Sequence, residues 1–521
     1  MTVSPLSRPE LDAALNLLVR TGLCGLLPRP FELEAIKWAW KDIRPLLGRV
    51  DLNDYRPGPA LSLSAPKQKY LIRTIHLLDP LDALLYTALV RRLASKIERK
   101  RQPLKKKRVF SFRFDGSHKS KFEFVLGWQD FEARLLELCA ERPYVAVADI
   151  SDFFANIYLH RLQGAVFDAT GMGAEAQTLF NWLAGWAPGG VRSSQGVPVG
   201  LVASNVLAEA MLIEVDDFLV DRGYEYARFV DDFYIFTESE SAASQALYGL
   251  AEQLAVEDRL ELNAAKTRVR TSQSLRGYLL SPHVKLRRRQ KRLRAEVRHQ
   301  DRYAPVDLEK LTADSRDFVK EVQAQQMLGA ALKAPIINLR QVTAALEVLG
   351  AVGDTEAVDA VVERLPVLAS VAPDVARFLL AQDRLGKRHV RSLARKVTKF
   401  LKSRVFQTAF QRIWLLEPFV RSTHWSDDAG LVHVWERDTH ELVRRHALLG
   451  LGMSTKRASR LLVKRGLADS SSWVRRAALF SLRALTPDER KHAYPTFRKK
   501  AWDVGSALER AVVGFSKSLA K

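Results

Sequence analysis

The stretch YVAVADISDFF, residues 144–154, constrains the fold of this chain more than any other. Tyr144 to Ile150 read as a buried strand, with Val145, Val147 and Asp149 on one face by the two-residue period. An unpaired buried carboxylate is strongly unfavourable, so an acid at the end of such a run demands compensation from elsewhere in the fold. A bound divalent cation is the economical explanation. Mg²⁺ in particular takes oxygen ligands from one or two carboxylates together with substrate phosphates.

Further carboxylates stand in IEVDDFLVDRGYEYARFVDDFYIF, residues 213–236, where Val-Asp-Asp-Phe occurs twice. In the first copy Asn205, Glu209 and Asp216 recur at helical offsets among apolar residues. Asp216 and Asp217 are therefore expected on the exposed side of a long helix that Gly223 ends. The second copy differs. YARFV and FYIF are aromatic and β-prone, and no helix fits between Gly223 and Thr237. Two short strands joined at a tight turn would put Asp231 and Asp232 at a hairpin tip. Asp is a common turn residue, so this pair needs a third carboxylate, and Asp149 supplies one. Two divalent ions ~3.5–4 Å apart on such a set can activate a 3′-hydroxyl and stabilise leaving pyrophosphate.

The charge of the chain suits a polyanionic partner, since 81 basic against 59 acidic residues leave +22. Residues 91–120 hold 12 Lys/Arg against 2 acids, around KIERKRQPLKKKR, and residues 281–300 hold 8 against 1, around KLRRRQKRLRAEVRHQ. A single run of this kind is as readily a solvated face. Two runs flanking a net acidic remainder look like the walls of a nucleic-acid channel, with Lys105, Lys106, Lys107 and Arg108 in one wall and Arg287, Arg288 and Arg289 in the other. The two cysteines, Cys24 and Cys139, support neither a disulfide framework nor a thiolate metal site. No stretch approaches a membrane span and no signal-peptide core is seen, so a cytoplasmic location without a membrane partner is the default expectation.

At 521 residues two or three domains are expected. Residues 1–66 read as a helical segment that closes in the loop-like DYRPGPALSLSAP. Residues 67–285 mix β-type and helical runs, an α+β pattern. Residues 286–300 read as a basic linker, and residues 301–521 as all-α. There DTHELVRRHALLGL (438–451) and DSSSWVRRAALFSL (469–482) share Asp-x4-Val-Arg-Arg-x-Ala-Leu at an offset of 31 residues. Helix pairs of this type stack because none buries its apolar face alone. The pattern resembles HEAT-like repeats, with an ordinary helical bundle as the alternative. Residues 301–521 carry +14, so this region suggests a second nucleic-acid surface or an assembly interface, with Arg444, Arg445, Arg475 and Arg476 as candidates.

A strand ending in Asp, then a Gly-rich loop and helix, then an Asp-Asp hairpin resembles the palm of reverse transcriptases. SSQGVPVGLVASN looks like the Gln-Gly-x-Pro-x-Gly segment of that family, which implies that Gln195 and Gly196 line the nascent base pair. LELNAAKTRV resembles the following motif, placing Lys266 near the triphosphate as a proton donor to pyrophosphate. KQKYLIRTIHLLDPLDALLY resembles the fingers, with Lys69 and Arg73 on the incoming phosphates, which implies that the helical segment 1–66 is part of the fingers, and RGYLL (276–280) loosely resembles the primer grip. The resemblance covers residues 67–285. It implies a metal set of Asp149, Ile150, Asp231 and Asp232 for two Mg²⁺ ions, with Mn²⁺ as a substitute. Phe154 falls at the family's aromatic steric gate, which implies deoxynucleoside triphosphates as substrates. Phe229 stands where the family usually has Tyr; it removes a hydroxyl but no metal ligand.

The whole reading is an α+β fingers and palm followed by a helical-repeat domain. That architecture is similar to bacterial abortive-infection and related "unknown group" reverse transcriptases. The similarity implies an RNA-directed DNA polymerase acting in anti-phage defence on RNA or single-stranded DNA. It also allows template-independent or protein-primed synthesis and a homo-oligomer. The alternatives are a nucleic-acid-binding scaffold with an inactive palm, or a templated enzyme of retron or group II type, although the retron signatures and any maturase segment are missing. An RNA-dependent RNA polymerase shares the palm logic, but Phe154 and the motif wording oppose it.

Overall fold

The structure, a computed structural model, describes residues 2–67, 70–114, 124–125, 127–186, 193–299, 308–353, 355, 357–495 and 503–520. The chain divides into two compact units. One comprises residues 1–33, 41–62 and 75–285, the other residues 34–40, 63–74 and 286–521.

Eight strands are present among the described residues: β1 (Leu61–Pro66), β2 (Ile72–Leu77), β3 (Arg113–Phe114), β4 (Phe124–Val125), β5 (Tyr144–Asp149), β6 (Glu225–Phe229), β7 (Asp232–Thr237) and β8 (Arg268–Thr271). β1 pairs with β2 and β3 with β4, while the remaining four form one sheet in the order β6-β7-β5-β8. The loop expected for DYRPGPALSLSAP is thus overturned at its end, where the alternating LSLSAP pairs as β1. β5 is central, paired antiparallel with both β7 and β8, which is why its sequence is a continuous apolar run. Beneath one face of the sheet, Phe131, Leu135 and Leu138 of the helix Trp128–Glu141 pack with Val145, Val147, Phe236, Leu275 and Leu279. The period of two carries Asp149 and Asp232 onto that same face, at the end where the core stops.

In the second unit, the helices Leu339–Val352, Ala372–Ala381, Ala409–Arg421, Glu441–Gly452, Ser472–Ser481 and Val504–Leu519 pack each on the next. Val358–Glu363, Lys387–Leu401 and Asp428–Arg437 pack in series as a second row. The Asp-Val-Arg-Arg repeat has a local cause. Asp438 accepts from His440 N at 2.9 Å and Asp469 from Ser471 N at 2.8 Å, so each aspartate makes the turn that opens a helix. Arg444 and Arg475 reach back to the carbonyls of Thr439 and Ser470, at 3.2 and 2.8 Å. Arg444 also pairs with Asp469 of the next copy at 3.1 Å, and Arg475 with Glu509 at 3.5 Å. Arg445 and Arg476 are buried, each over the Trp473 ring. The paired arginines expected at a nucleic-acid surface are therefore tied into the stack itself.

Two further expectations change. Of the basic run read as a linker over residues 286–300, residues 286–299 lie within the helix Pro282–His299, where Arg289 and Arg292 pair with Asp314 at 3.2 and 2.7 Å, and residue 300 lies outside the described residues. RGYLL, likened to a primer grip, is helical within Ser272–Leu280. Among the described residues no helix is long and apolar enough to cross a membrane.

Candidate active site

Asp149 and Asp232 are direct cross-strand partners on β5 and β7. Phe229 pairs with Asp232 to close the β6–β7 hairpin, which leaves only Val230 and Asp231 in the turn. One oxygen from each of Asp149, Asp231 and Asp232 lies within 4.8 Å of the others. The turn is fastened to the sheet by Ile150 N, which donates to Asp231 O at 3.2 Å. Ile150 itself is buried, so its contribution to a site is limited to its backbone.

Like charges at this separation oppose joint ionisation. Burial, then the charges of Asp231 and Asp149, push the Asp232 carboxyl up to about 7. Lys266 Nζ donates to Asp149 Oδ1 at 2.6 Å. Burial works against the Lys266 ammonium, but its hydrogen bond to Asp149 and the charges of all three aspartates outweigh that and raise its pKa. Lys266 is delivered by a turn centred on Asn263, whose backbone carbonyl accepts from Lys266 N at 3.0 Å and whose side chain accepts from Ala265 N at 3.1 Å. Asn263 N in turn donates to Asp149 O at 2.7 Å, so the lysine loop and the strand end are one assembly. Three hard oxygen donors in a partly desolvated cluster, one of them pushed toward neutrality by its neighbours, match the donor chemistry of a divalent cation.

Gln195 and Gly196 run beside Phe154. Gly196 N donates to Ile157 O at 2.9 Å and Val197 N to Phe154 O at 2.9 Å. Gly196 has φ +92°, and a Cβ there would sit 3.2 Å from Ala155 O, so glycine is required on both counts. Gln195 is exposed and the Phe154 ring half-buried. Phe229 is half-buried and packs edge-on to Trp128, with ring centroids 4.8 Å apart, and tilted against Phe131 at 5.6 Å. Arg73 is exposed on β2, while Lys69 lies outside the described residues.

The basic candidates divide. Lys105 and Lys106 are exposed, but Lys107 pairs with Glu137 at 3.3 Å and Arg108 with Glu225 at 3.6 Å. Arg101 of the same run is buried against Glu209 at 2.7 Å. Arg289 is paired as described, Arg288 is half-buried, and the Arg287 side chain lies outside the described set. This segment is thus as much a set of ion pairs as a channel wall.

The expectation for Asp216 is overturned. It is fully buried rather than on an exposed helix side, because the helix breaks at Leu212 into Val202–Met211 and Ile213–Asp221 and turns that acid inward. There it meets Arg228, an arginine that the reading of YARFV as plain strand passed over. The signal was present: a cation inside a buried strand needs an anion as much as Asp149 needs a cation.

Residues 66–300 match the family described as reverse transcriptase (RNA-dependent DNA polymerase). No curated protein matches the chain. Solved structures similar to it include telomerase from Candida albicans in complex with a fragment of telomeric RNA, at 10% identity and a TM-score of 0.32, covering 68% of this chain and 64% of that one. The corresponding Candida tropicalis complex gives 11% and 0.32, covering 70% and 64%. Apo telomerase from Candida tropicalis gives 11% and 0.29, covering 68% and 71%. The chain thus spans about two thirds of the length of these telomerase chains. From residue 66 to residue 300, this chain carries a reverse transcriptase domain, the fold of an RNA-directed DNA polymerase.

Proposed function

We propose that the chain is a Mg²⁺-dependent polymerase that adds deoxynucleotides to a nucleic-acid or protein primer. The observation that carries this reading is the convergence of Asp149, Asp231 and Asp232 within 4.8 Å, with Lys266 against Asp149 at 2.6 Å. Asp149, Asp231, Asp232 and the Ile150 carbonyl would hold Mg²⁺, or Mn²⁺ in its place. When bound, such ions supply Lewis-acid activation of a 3′-hydroxyl and charge neutralisation at the triphosphate. The protein's own part is positional. Lys266 Nζ is a proton donor for departing pyrophosphate, Gln195 and Gly196 present a surface to the new base pair, and the Phe154 ring crowds a ribose 2′-hydroxyl. Arg73 and Lys69 take the incoming phosphates.

The helical unit is read as HEAT-like and as a second contact with nucleic acid. Its support is the helix Lys387–Leu401, whose one face is buried through Val390, Leu393, Ala394 and Val397. The other face carries Lys387, Arg388, Arg391, Arg395, Lys396 and Lys399, without one acidic residue in the helix. Only Lys396 forms an ion pair among the described residues, with Asp359. Cations in the first turn oppose the helix dipole, so the stripe is there despite its effect on stability. A polyanion would satisfy it, with RNA or single-stranded DNA as the partner. The order of a reverse transcriptase domain followed by stacked helices supports our reading of a role in bacterial anti-phage defence, as a homo-oligomer in the cytoplasm.

The deciding experiment is incorporation of labelled deoxynucleotides by purified protein with Mg²⁺, with Asp231→Ala as control. Incorporation that Asp231→Ala abolishes supports the polymerase. Nucleic-acid binding without incorporation by the native protein, under templated, untemplated and self-primed conditions alike, favours the scaffold reading.

A further inference from the structure

Below the Asp231 turn lies a buried cluster of charges that takes no part in the chemistry above. Arg228 is completely buried and donates to Asp216 through Nε at 2.9 Å and through NH2 at 2.6 Å. Its NH1 lies 3.0 Å from Glu209 Oε2 and donates to the carbonyl of Val230 at 2.9 Å. The same Oε2 accepts from Arg101 NH2 at 2.7 Å, while Glu209 Oε1 accepts from the Ser111 hydroxyl. That same hydroxyl oxygen accepts from Val230 N at 2.9 Å. Tyr226 OH completes the shell, donating to Asp216 at 3.0 Å. Arg101 also pairs with Glu98 at 3.0 Å, and Glu98 with Arg113 at 2.6 Å, so three guanidinium groups and three carboxylates balance; both polar groups of the Val230 backbone end in this cluster.

Val230 is where such a grip matters. Its φ is +56°, a left-handed conformation that a β-branched residue adopts only under constraint. Val230 directly precedes Asp231 and forms the first half of the two-residue turn, so its backbone sets where both carboxylates point. We propose that Arg228, Glu209, Asp216, Arg101 and Ser111 form a positioning clamp that holds Val230 left-handed and thereby aims Asp231 and Asp232 at their cation. The first Val-Asp-Asp-Phe copy serves the second: Asp216 orients Arg228, and Arg228 orients the turn. None of the five is a catalytic residue.

The inference rests on the metal-dependent reading of the three aspartates, and its test carries a readout independent of polymerisation. Mn²⁺ binding is measured by the electron paramagnetic resonance of the free ion, alongside thermal unfolding and the Mg²⁺ dependence of incorporation. Ser111→Ala removes the bonds to Val230 N and to Glu209 and leaves every charge in place. It should weaken Mn²⁺ binding by about tenfold and shift the Mg²⁺ dependence alike. Val230→Gly adopts the same φ without strain, so in that background Ser111→Ala should change Mn²⁺ binding less than twofold. If Ser111→Ala alone does not fold, folding of the double variant with native-like Mn²⁺ affinity supports the clamp. Failure of both to fold, or an equal Ser111→Ala penalty in the two backgrounds, overturns it and leaves the cluster a stability element. Unaltered Mn²⁺ affinity in folded Ser111→Ala overturns it as well. A native protein that binds Mn²⁺ but incorporates nothing refutes the polymerase while leaving the clamp decided by the Mn²⁺ data.

Discussion

Lys266 and Asp149 form an ion pair at 2.6 Å between a lysine that is 59% exposed and a carboxylate that is 6% exposed. The strand-end acid is thus compensated by a cation even before any metal, through a side chain that is itself largely exposed. On the neighbouring strand Asp232 is pushed toward neutrality by burial and by the charges of Asp231 and Asp149, and the consequences can be measured.

Stability should depend on pH in an unusual direction. Asp232 keeps its proton up to about 7 in the folded protein, whereas an unfolded carboxylate loses it near ~3.9. Between those values the folded state binds more protons, so stability falls as pH rises. In chelator, the melting temperature should fall from pH 5 to pH 8 by more in the native protein than in Asp232→Asn. Mg²⁺ should raise it more at pH 8 than at pH 6, because protons compete for the ligand. Parallel profiles for the two proteins would refute this.

Asp149→Ala and Asp231→Ala should each lower nucleotide incorporation by roughly 10²–10³ or more; Asp231→Ala should do so without lowering the melting temperature in chelator, since it relieves like-charge repulsion on Asp232. Steady-state incorporation and calorimetry on the same preparations check both halves.

Asp216→Ala should behave oppositely. It takes both Asp216 bonds from the buried Arg228 guanidinium and leaves it only Glu209, which Arg101 shares, so denaturant unfolding should report a loss of about 3–5 kcal/mol. A change within the error of the titration would mean that Arg228 finds another partner.

Phe154→Ala should raise ribonucleotide relative to deoxynucleotide incorporation by about tenfold or more. An unchanged ratio in a folded, active variant removes Phe154 from sugar discrimination.

Changing Arg388, Arg395 and Lys399 together to Gln should weaken binding of single-stranded nucleic acid and reduce the slope of log affinity against log salt by about 0.7 for each phosphate no longer neutralised. Unfolding should be unaffected. Arg444→Gln with Arg475→Gln should do the reverse, lowering stability while the salt slope stays put, because those guanidiniums join neighbouring helices.

What was legible in the sequence was whatever local chemistry dictates. The anomaly of Asp149 at the end of YVAVAD, the hairpin carrying Asp231 and Asp232, and the 31-residue recurrence of Asp-Val-Arg-Arg all follow from short-range periodicity and turn preference. Position in space did not follow. Asp216 and Asp231 sit in the same tetrapeptide, yet one is sealed against Arg228 and the other closes the turn, because a break at Leu212 rotates the first inward and the strained Val230 presents the second. Likewise, Arg101, Arg108 and Arg444 look like free cations in the sequence but are paired in the fold, while Arg388, Arg395 and Lys399 are exposed cations with no ion pair among the described residues. The physical reason is one of range. Backbone preference acts over a few residues, whereas the free energy of a charge depends on which distant residues exclude water from it and which counter-charge they bring, and only tertiary packing decides that.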